Sequence, residues 1–287
     1  MGMNFTALFD MARFASEGSG FHIVLKAEEL LVIGPFVITN STLLGFVVAG
    51  FMIWVMTKAA KLIAVKPGNL FSQVIEAGCE FVINTAEGIF HSRKKAVTYA
   101  PMLLTLFFFI LLNNWAGLLP GVGTILGRSH GEAAPLFRPF TSDINGTLAL
   151  AIVTIVLVQI YAIRELGVKG HLKHYFSNQP WNPINLFVGF LEVIGEFTRI
   201  MSLSLRLFGN VFAGEVLIAV ISKISSFGSP LTTLPFIFME MFVGFIQAFV
   251  FTMLTIVFLA VATHHEESEE HSSDHGEAPA LAETATS

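Results

Sequence analysis

Four stretches of the chain run for 20 residues or more without an Asp, Glu, Lys or Arg: 30–57, 96–127, 144–163 and 241–265. A bilayer core about 30 Å thick is crossed by roughly 20 helical residues, each rising about 1.5 Å. These runs place spans near 38–57, 98–119, 145–163 and 236–262. Composition agrees: 54% of the 287 residues are hydrophobic and 13% are charged, against about one quarter charged in soluble domains. That balance argues against a soluble globular enzyme.

The formal net charge of −5 belongs to one end of the chain. Seven of the 21 acids and none of the bases fall in 264–287, so 1–263 sets 14 acids against 16 bases. The acidic stretch 264–287 reads as a disordered tail. The single cysteine, Cys79, excludes an intramolecular disulfide framework and a cysteine-rich metal site. Residues 1–20 mix acids and glycines where a cleavable leader would need a compact apolar core, and read as mature sequence within an extracytoplasmic segment 1–29. A single membrane domain over 30–263 is expected.

The segment 181–223 is apolar but carries Glu192, Glu196, Arg199, Arg206 and Glu215. It is either two helices broken near Ile200 or one long helix. No Pro occurs between Ile184 and Ser229, which favours a single helix over 183–223, about 60 Å long and therefore strongly tilted. The expected fold is an all-α polytopic membrane protein with about five crossings. Its long helix pairs with the last helix as a hairpin.

Bases near the span ends set the orientation. Lys58, Lys61 and Lys66 follow the first span, Arg93, Lys94 and Lys95 precede the second, and Arg164, Lys169 and Lys173 follow the third. The loop 120–143 holds only Arg128 and Arg138, offset by Glu132 and Asp143. The N-terminus is then extracytoplasmic and the tail cytoplasmic. Residues 69–91 place Glu76, Glu80 and Glu87 on one helical face, an amphipathic helix on the cytoplasmic surface.

Charges inside a span cost about 2.5–3.5 kcal/mol each and are usually functional. Arg206 is the clearest case, with no acid within six residues on either side. An Arg cannot shed its charge and so needs a partner or water. At about 100° per residue, Ser202, Arg206, Gly209 and Ala213 share one narrow stripe, whose small residues allow another helix to approach. Glu215 is nine residues on, about 13 Å along the axis and on the opposite face, so the two form no simple ion pair. Asn210, one turn from Arg206, either steers its side chain and holds a water or is satisfied by backbone. On the last helix Glu240, Gly244, Gln247 and Phe251 form a second stripe. If Glu215 and Glu240 meet, the pair is suited to proton relay. Glu192 and Glu196 either line an exit path or belong to an interfacial ion pair with Arg199. Asn113 and Asn114 either line a polar pathway or bond across helices.

Enzyme signatures are absent: no HExxH, G-x-S-x-G, GxxxxGK[ST] or GxGxxG. No cofactor and no metal site is expected. The tail histidines His264, His265, His271 and His275 have nothing to fix their geometry.

Taken together, SLSLRLFGN at 202–210 followed by Glu215 and Gln247 resembles the core motif of the a subunit of F-type ATP synthases. The resemblance extends to PMLLTLFFFILLNNWAGLLPG at 101–121, TSDINGTLALA at 141–151 and NPINLFVGFLEVIGEFTRIMS at 182–202, and it spans about 30–263. It implies a non-catalytic stator of a rotary proton motor in a bacterial inner membrane. Its partners would be a ring of c subunits, the b subunits of a peripheral stalk and membrane lipid, with no nucleic acid. Arg206 would face the ring carboxylate, favour its deprotonation and block leakage between two half-channels. Asn210, Glu215, Gln247 and Asn114 match polar positions of the proton path, with Glu192 and Glu196 toward the cytoplasmic side. Some relatives carry His where Glu240 stands; here both relay positions are acids. The alternative is a self-contained secondary transporter in which Arg206 binds an anionic substrate; such proteins often show inverted repeats and broken helices, and neither is evident.

Overall fold

The computed structural model describes residues 29–33, 36–62, 70–119, 126–129, 132–135, 138–175, 183–224 and 229–263. Most of the N-terminal segment 1–29, Lys66, the acidic tail and its histidines lie outside the described residues. Among the described residues six α-helices form the body: α1 Asn40–Leu62, α2 Leu70–Phe90, α3 Arg93–Ala116, α4 Ile144–Tyr175, α5 Pro183–Ile224 and α6 Ser229–Thr263. All but α2 are long and apolar enough to cross a membrane. The expectation of five crossings in an all-α membrane body holds.

Two short antiparallel hairpins, unforeseen from sequence, lie at the ends of crossing helices. The strands β1 Glu29–Ile33 and β2 Phe36–Thr39 lead into α1, and β3 Leu126–Ser129 and β4 Glu132–Pro135 fall between α3 and α4. Each two-stranded sheet leaves its outer backbone groups unpaired, which the hydrocarbon interior does not tolerate, so both hairpins belong outside it. Because α1 starts, α3 ends and α4 starts there, these hairpins mark one side of the membrane. Lys58, Lys61, Arg93 and Lys94 mark the other.

Local chemistry sets the helix ends. The Thr39 hydroxyl accepts the Thr42 amide at 3.3 Å, an N-cap for α1. At the α2–α3 corner His91 takes φ 51° and Ser92 caps α3, accepting from the Lys95 amide at 3.4 Å. Arg93 clamps this corner, donating to Asn84 Oδ1 and to Glu87 Oε2, each at 2.7 Å. Asp143 opens α4, its Oδ1 accepting from the Asn145 amide at 3.0 Å. That helix breaks at Gly167, where φ is 73° and ψ 159°, a conformation open to Gly at little cost. The third span therefore ends near the expected point, though helical backbone continues beyond it.

Helix α5 runs unbroken for 42 residues, about 63 Å at the usual rise. The break considered near Ile200 does not occur. It packs antiparallel on α6: the 214 region meets Glu240, while the Arg199 guanidinium lies 5.2 Å from the Phe258 ring centroid. Apolar burial does little to join helices in lipid, so close packing and interhelical hydrogen bonds must. Ala86, Ala96, Ala151, Ala162 and Ala248 are wholly buried at these contacts. The Thr147 and Ser204 hydroxyls bridge α4 and α5 at 3.2 Å. Phe107, Phe251, Leu203 and Leu207 fill the centre, and Phe46, Phe51 and Ile53 on α1 face outward. The amphipathic helix α2 seats Val82, Ala86 and Phe90 against α3, with the Phe81 ring 5.2 Å from that of Phe249. Glu76 and Glu80 stay exposed.

Candidate functional site

The middle of α5 presents different chemistry on its two faces. Ser202, Arg206, Gly209 and Ala213 are all exposed, and a Cβ at Gly209 would meet nothing within 4 Å. The Arg206 guanidinium donates to Ser202 Oγ at 3.4 Å, long for such a bond. Among the described residues no carboxylate pairs with it. The buried face carries Leu203, Ser204, Leu207 and Val211, and nine residues beyond Arg206 the side chain of Glu215 turns inward.

That inner face opens on a small cavity lined by Asn114, Gly117 and Leu118 of α3 and its exit, Pro139, Asn210 and Glu215 of α5, and Glu240 and Gly244 of α6, among others. Its space for water centres is about 20 Å³, just above the roughly 10–15 Å³ that one water needs. Glu215 and Glu240, whose meeting the sequence raises only as a condition, line this same cavity. Gly214 makes their approach possible, because a Cβ there would overlap the Glu240 carboxyl group. A larger residue fits only if that carboxyl moves.

Asn114 joins the cavity and the helix packing at once. Its Nδ2 donates to Gly244 O at 3.1 Å, while the buried Oδ1 has no protein partner. It therefore bonds across helices, one of the two alternatives read from its sequence position, and also lines the cavity. Trp115 adds a second tie, Nε1 donating to Met241 O at 3.1 Å. Asn113 instead bonds locally, Nδ2 to Phe109 O at 2.8 Å.

Other expected residues lie elsewhere. Gln247 is buried, 6% exposed, but does not line the cavity, and its Nε2 has no partner. The two α5–α6 contacts put it roughly level with the turn that holds Arg206, on the inner side. Glu196 pairs with Arg199 near the opposite end of α5, and Glu192 lies one turn further away. Asn210 turns to the cavity rather than to the exposed stripe.

Sequence reading missed Arg138, Ser142 and Gly214. From sequence Arg138 counts only as a loop charge. In the structure its Nε donates to Ser142 Oγ at 3.0 Å and its Nη2 to Ser142 O at 3.3 Å, and the adjacent Pro139 lines the cavity with Glu215. The available signal was turn chemistry: Arg-Pro, then Thr141, Ser142 and Asp143, small polar residues suited to cap the next helix at the membrane face. A buried Asp143, 4% exposed, completes that turn by accepting from Ser41 Oγ at 2.8 Å.

Fold and site together define a polytopic helical membrane protein that keeps carboxylates in an internal cavity and a lone guanidinium on an outer face. The family of the ATP synthase A chain matches residues 38–260, and the chain belongs to that family. It is 32% identical over 240 residues to ATP synthase subunit a of Moorella thermoacetica, covering 84% of this chain and 98% of the relative. With the subunit a of Aeromonas salmonicida identity is 33%, covering 81% and 88%. With that of Syntrophobacter fumaroxidans it is 31%, covering 87% and 94%.

Proposed function

We propose that the chain is the stator subunit of the membrane sector of an F-type ATP synthase, supplying two proton half-channels beside a rotating ring of c subunits. The observation that carries this reading is the opposition of the outer Arg206 stripe and the inner Glu215–Glu240 cavity on one helix. Glu215 stands nine residues from Arg206, about 13 Å, and Glu196 stands ten the other way, about 15 Å. The arginine thus sits midway between two acidic stations. In this reading the cavity at Asn114, Asn210, Glu215 and Glu240 serves the half-channel on the hairpin side, with Gln247 deeper in. Glu192 and Glu196 serve the other.

A ring carboxylate reaching Arg206 loses its proton, because the guanidinium stabilises the anion; after rotation it is reprotonated from the other side. The fixed charge also blocks a proton passing straight between the half-channels. Each proton moved through 100 mV supplies about 2.3 kcal/mol to rotation. The chain itself catalyses no covalent step. As the likeness to bacterial subunits suggests, it lies in a bacterial inner membrane, and the loop bases put its hairpin side and N-terminus in the periplasm and its tail in the cytoplasm. The peripheral-stalk b subunits hold it against torque.

The test is ATP-driven proton pumping in inverted vesicles carrying the whole synthase. Glu215→Gln is expected to slow pumping about 100-fold and Glu240→Gln about tenfold, as for loss of a positioned proton-transfer group. Indifference to both changes would remove the cavity from the pathway. Uptake of an anion by the isolated chain would favour a transporter instead.

A further inference from the structure

The segment 138–142 is held more firmly than a loop needs to be. Ser142 N donates to Pro139 O at 3.1 Å and Asp143 N to Phe140 O at 3.3 Å, closing a 3-10 turn at Phe140–Ser142. Pro139 presses on Gly117, where a Cβ would lie 2.5 Å from Pro139 Cγ, and the Phe140 ring fills the space above Gly45. Thr141, Ser142 and Asp143 are buried. Arg138 closes back on this turn with its two bonds to Ser142. Pro139 lines the cavity together with Glu215, so a rigid turn holds the adjacent cation of Arg138 beside that cavity.

We propose that Arg138, braced on Ser142, is a positioning residue for Glu215: it fixes the carboxylate at the cavity and sets the pH range over which protons pass through it. The proposal rests on the proton-path reading given above. Ser142 Oγ has one hydrogen, which it gives to Pro139 O at 3.0 Å while accepting from Arg138. The hydroxyl thus ties the guanidinium to the backbone of the turn, so the cation keeps a fixed place beside the cavity.

Among the described residues, the charged groups around Glu215 are Arg138 from the turn and Glu240, which lines the same cavity, from α6. Asp143, next to Ser142, is directed to Ser41 and the Asn145 amide. From α3 comes neutral Asn114, and the first charges of α4, Arg164 and Glu165, lie about 30 Å along its axis from the turn. Arg138 is accordingly the cation that opposes the repulsion between the two carboxylates.

The experiment measures ATP-driven pumping against pH in vesicles carrying the whole synthase. Arg138→Gln is expected to slow pumping about tenfold at neutral pH and to displace the profile by about one unit to alkaline pH, since a carboxylate yields its proton less readily without an adjacent cation. Arg138→Lys is expected to restore the position of the profile. Combining Arg138→Gln with Glu215→Gln is expected to add no loss beyond Glu215→Gln alone. An unchanged profile, or a loss that adds fully to that of Glu215→Gln, overturns the proposal. If Arg138→Gln does not assemble, Ser142→Ala reads the same contact: a smaller alkaline displacement supports the role and an unmoved profile contradicts it. Should Glu215→Gln itself leave pumping intact, the proton-path reading fails rather than the role of Arg138 alone.

Discussion

Arg206→Ala is expected to abolish ATP-driven proton pumping, lowering it at least about 100-fold, while leaving passive proton permeability through the membrane sector intact or raised. The guanidinium has five donors, and its one described contact is the long bond to Ser202. A cation left so poorly matched inside a membrane costs about 2.5–3.5 kcal/mol. A partner carboxylate offsets that cost, and removing one member of such a pair typically loses about 3–5 kcal/mol, a factor of one hundred to several thousand. Without the arginine the ring carboxylate has no reason to release its proton, and the charge separating the half-channels is gone. Arg206→Lys keeps the charge but loses the planar fork, so it is expected to restore little coupling. Pumping at the wild-type rate with Ala at this position would contradict the account.

Gly209→Leu is the second large effect expected. Within the chain nothing lies within 4 Å of a Cβ there, and Leu is the better helix former, Gly being the least favourable residue after Pro. The subunit should fold and insert at normal levels, measured by immunoblot. Any defect must then come from a partner packed on the stripe. Pumping is expected to fall about tenfold or more, as overpacking a tight contact costs about 1–3 kcal/mol. Gly209→Ala should be nearly silent. A Leu variant that pumps normally would mean that no helix approaches this face.

The two halves of the site differ in how far they can be read from sequence. Arg206 stands out because a permanent charge in an apolar run has few benign explanations, and nine residues place Glu215 on the opposite face by geometry alone. The unbroken α5 follows from a segment without Pro. The cavity is different, because its walls come from four parts of the chain. Gly214 matters only because Glu240 arrives beside it from another helix. Arg138 matters only because a capped turn returns to meet Glu215, 77 residues later. Periodicity within one helix carries no information on such meetings. The same limit separates Asn114, which reaches across to Gly244, from Asn113, which bonds one turn back. It also explains why the short hairpins, held by their own backbone pairs, escaped a reading based on apolar length.

The central claim is that the Ser202–Ala213 stripe meets the ring at its carboxylate, and disulfide cross-linking in the assembled synthase tests it most directly. The native Cys79 is first replaced by Ala; burial and the nearby Glu76 push its thiol up, so it reacts slowly, but its removal makes the readout unambiguous. Single cysteines at Ser202, Gly209 and Ala213 are then paired with a cysteine one turn from the ring carboxylate, with Val47→Cys on the outward face of α1 as control. The account predicts cross-links from the α5 positions and none from Val47. Cross-linking from Val47 with none from the stripe would contradict it.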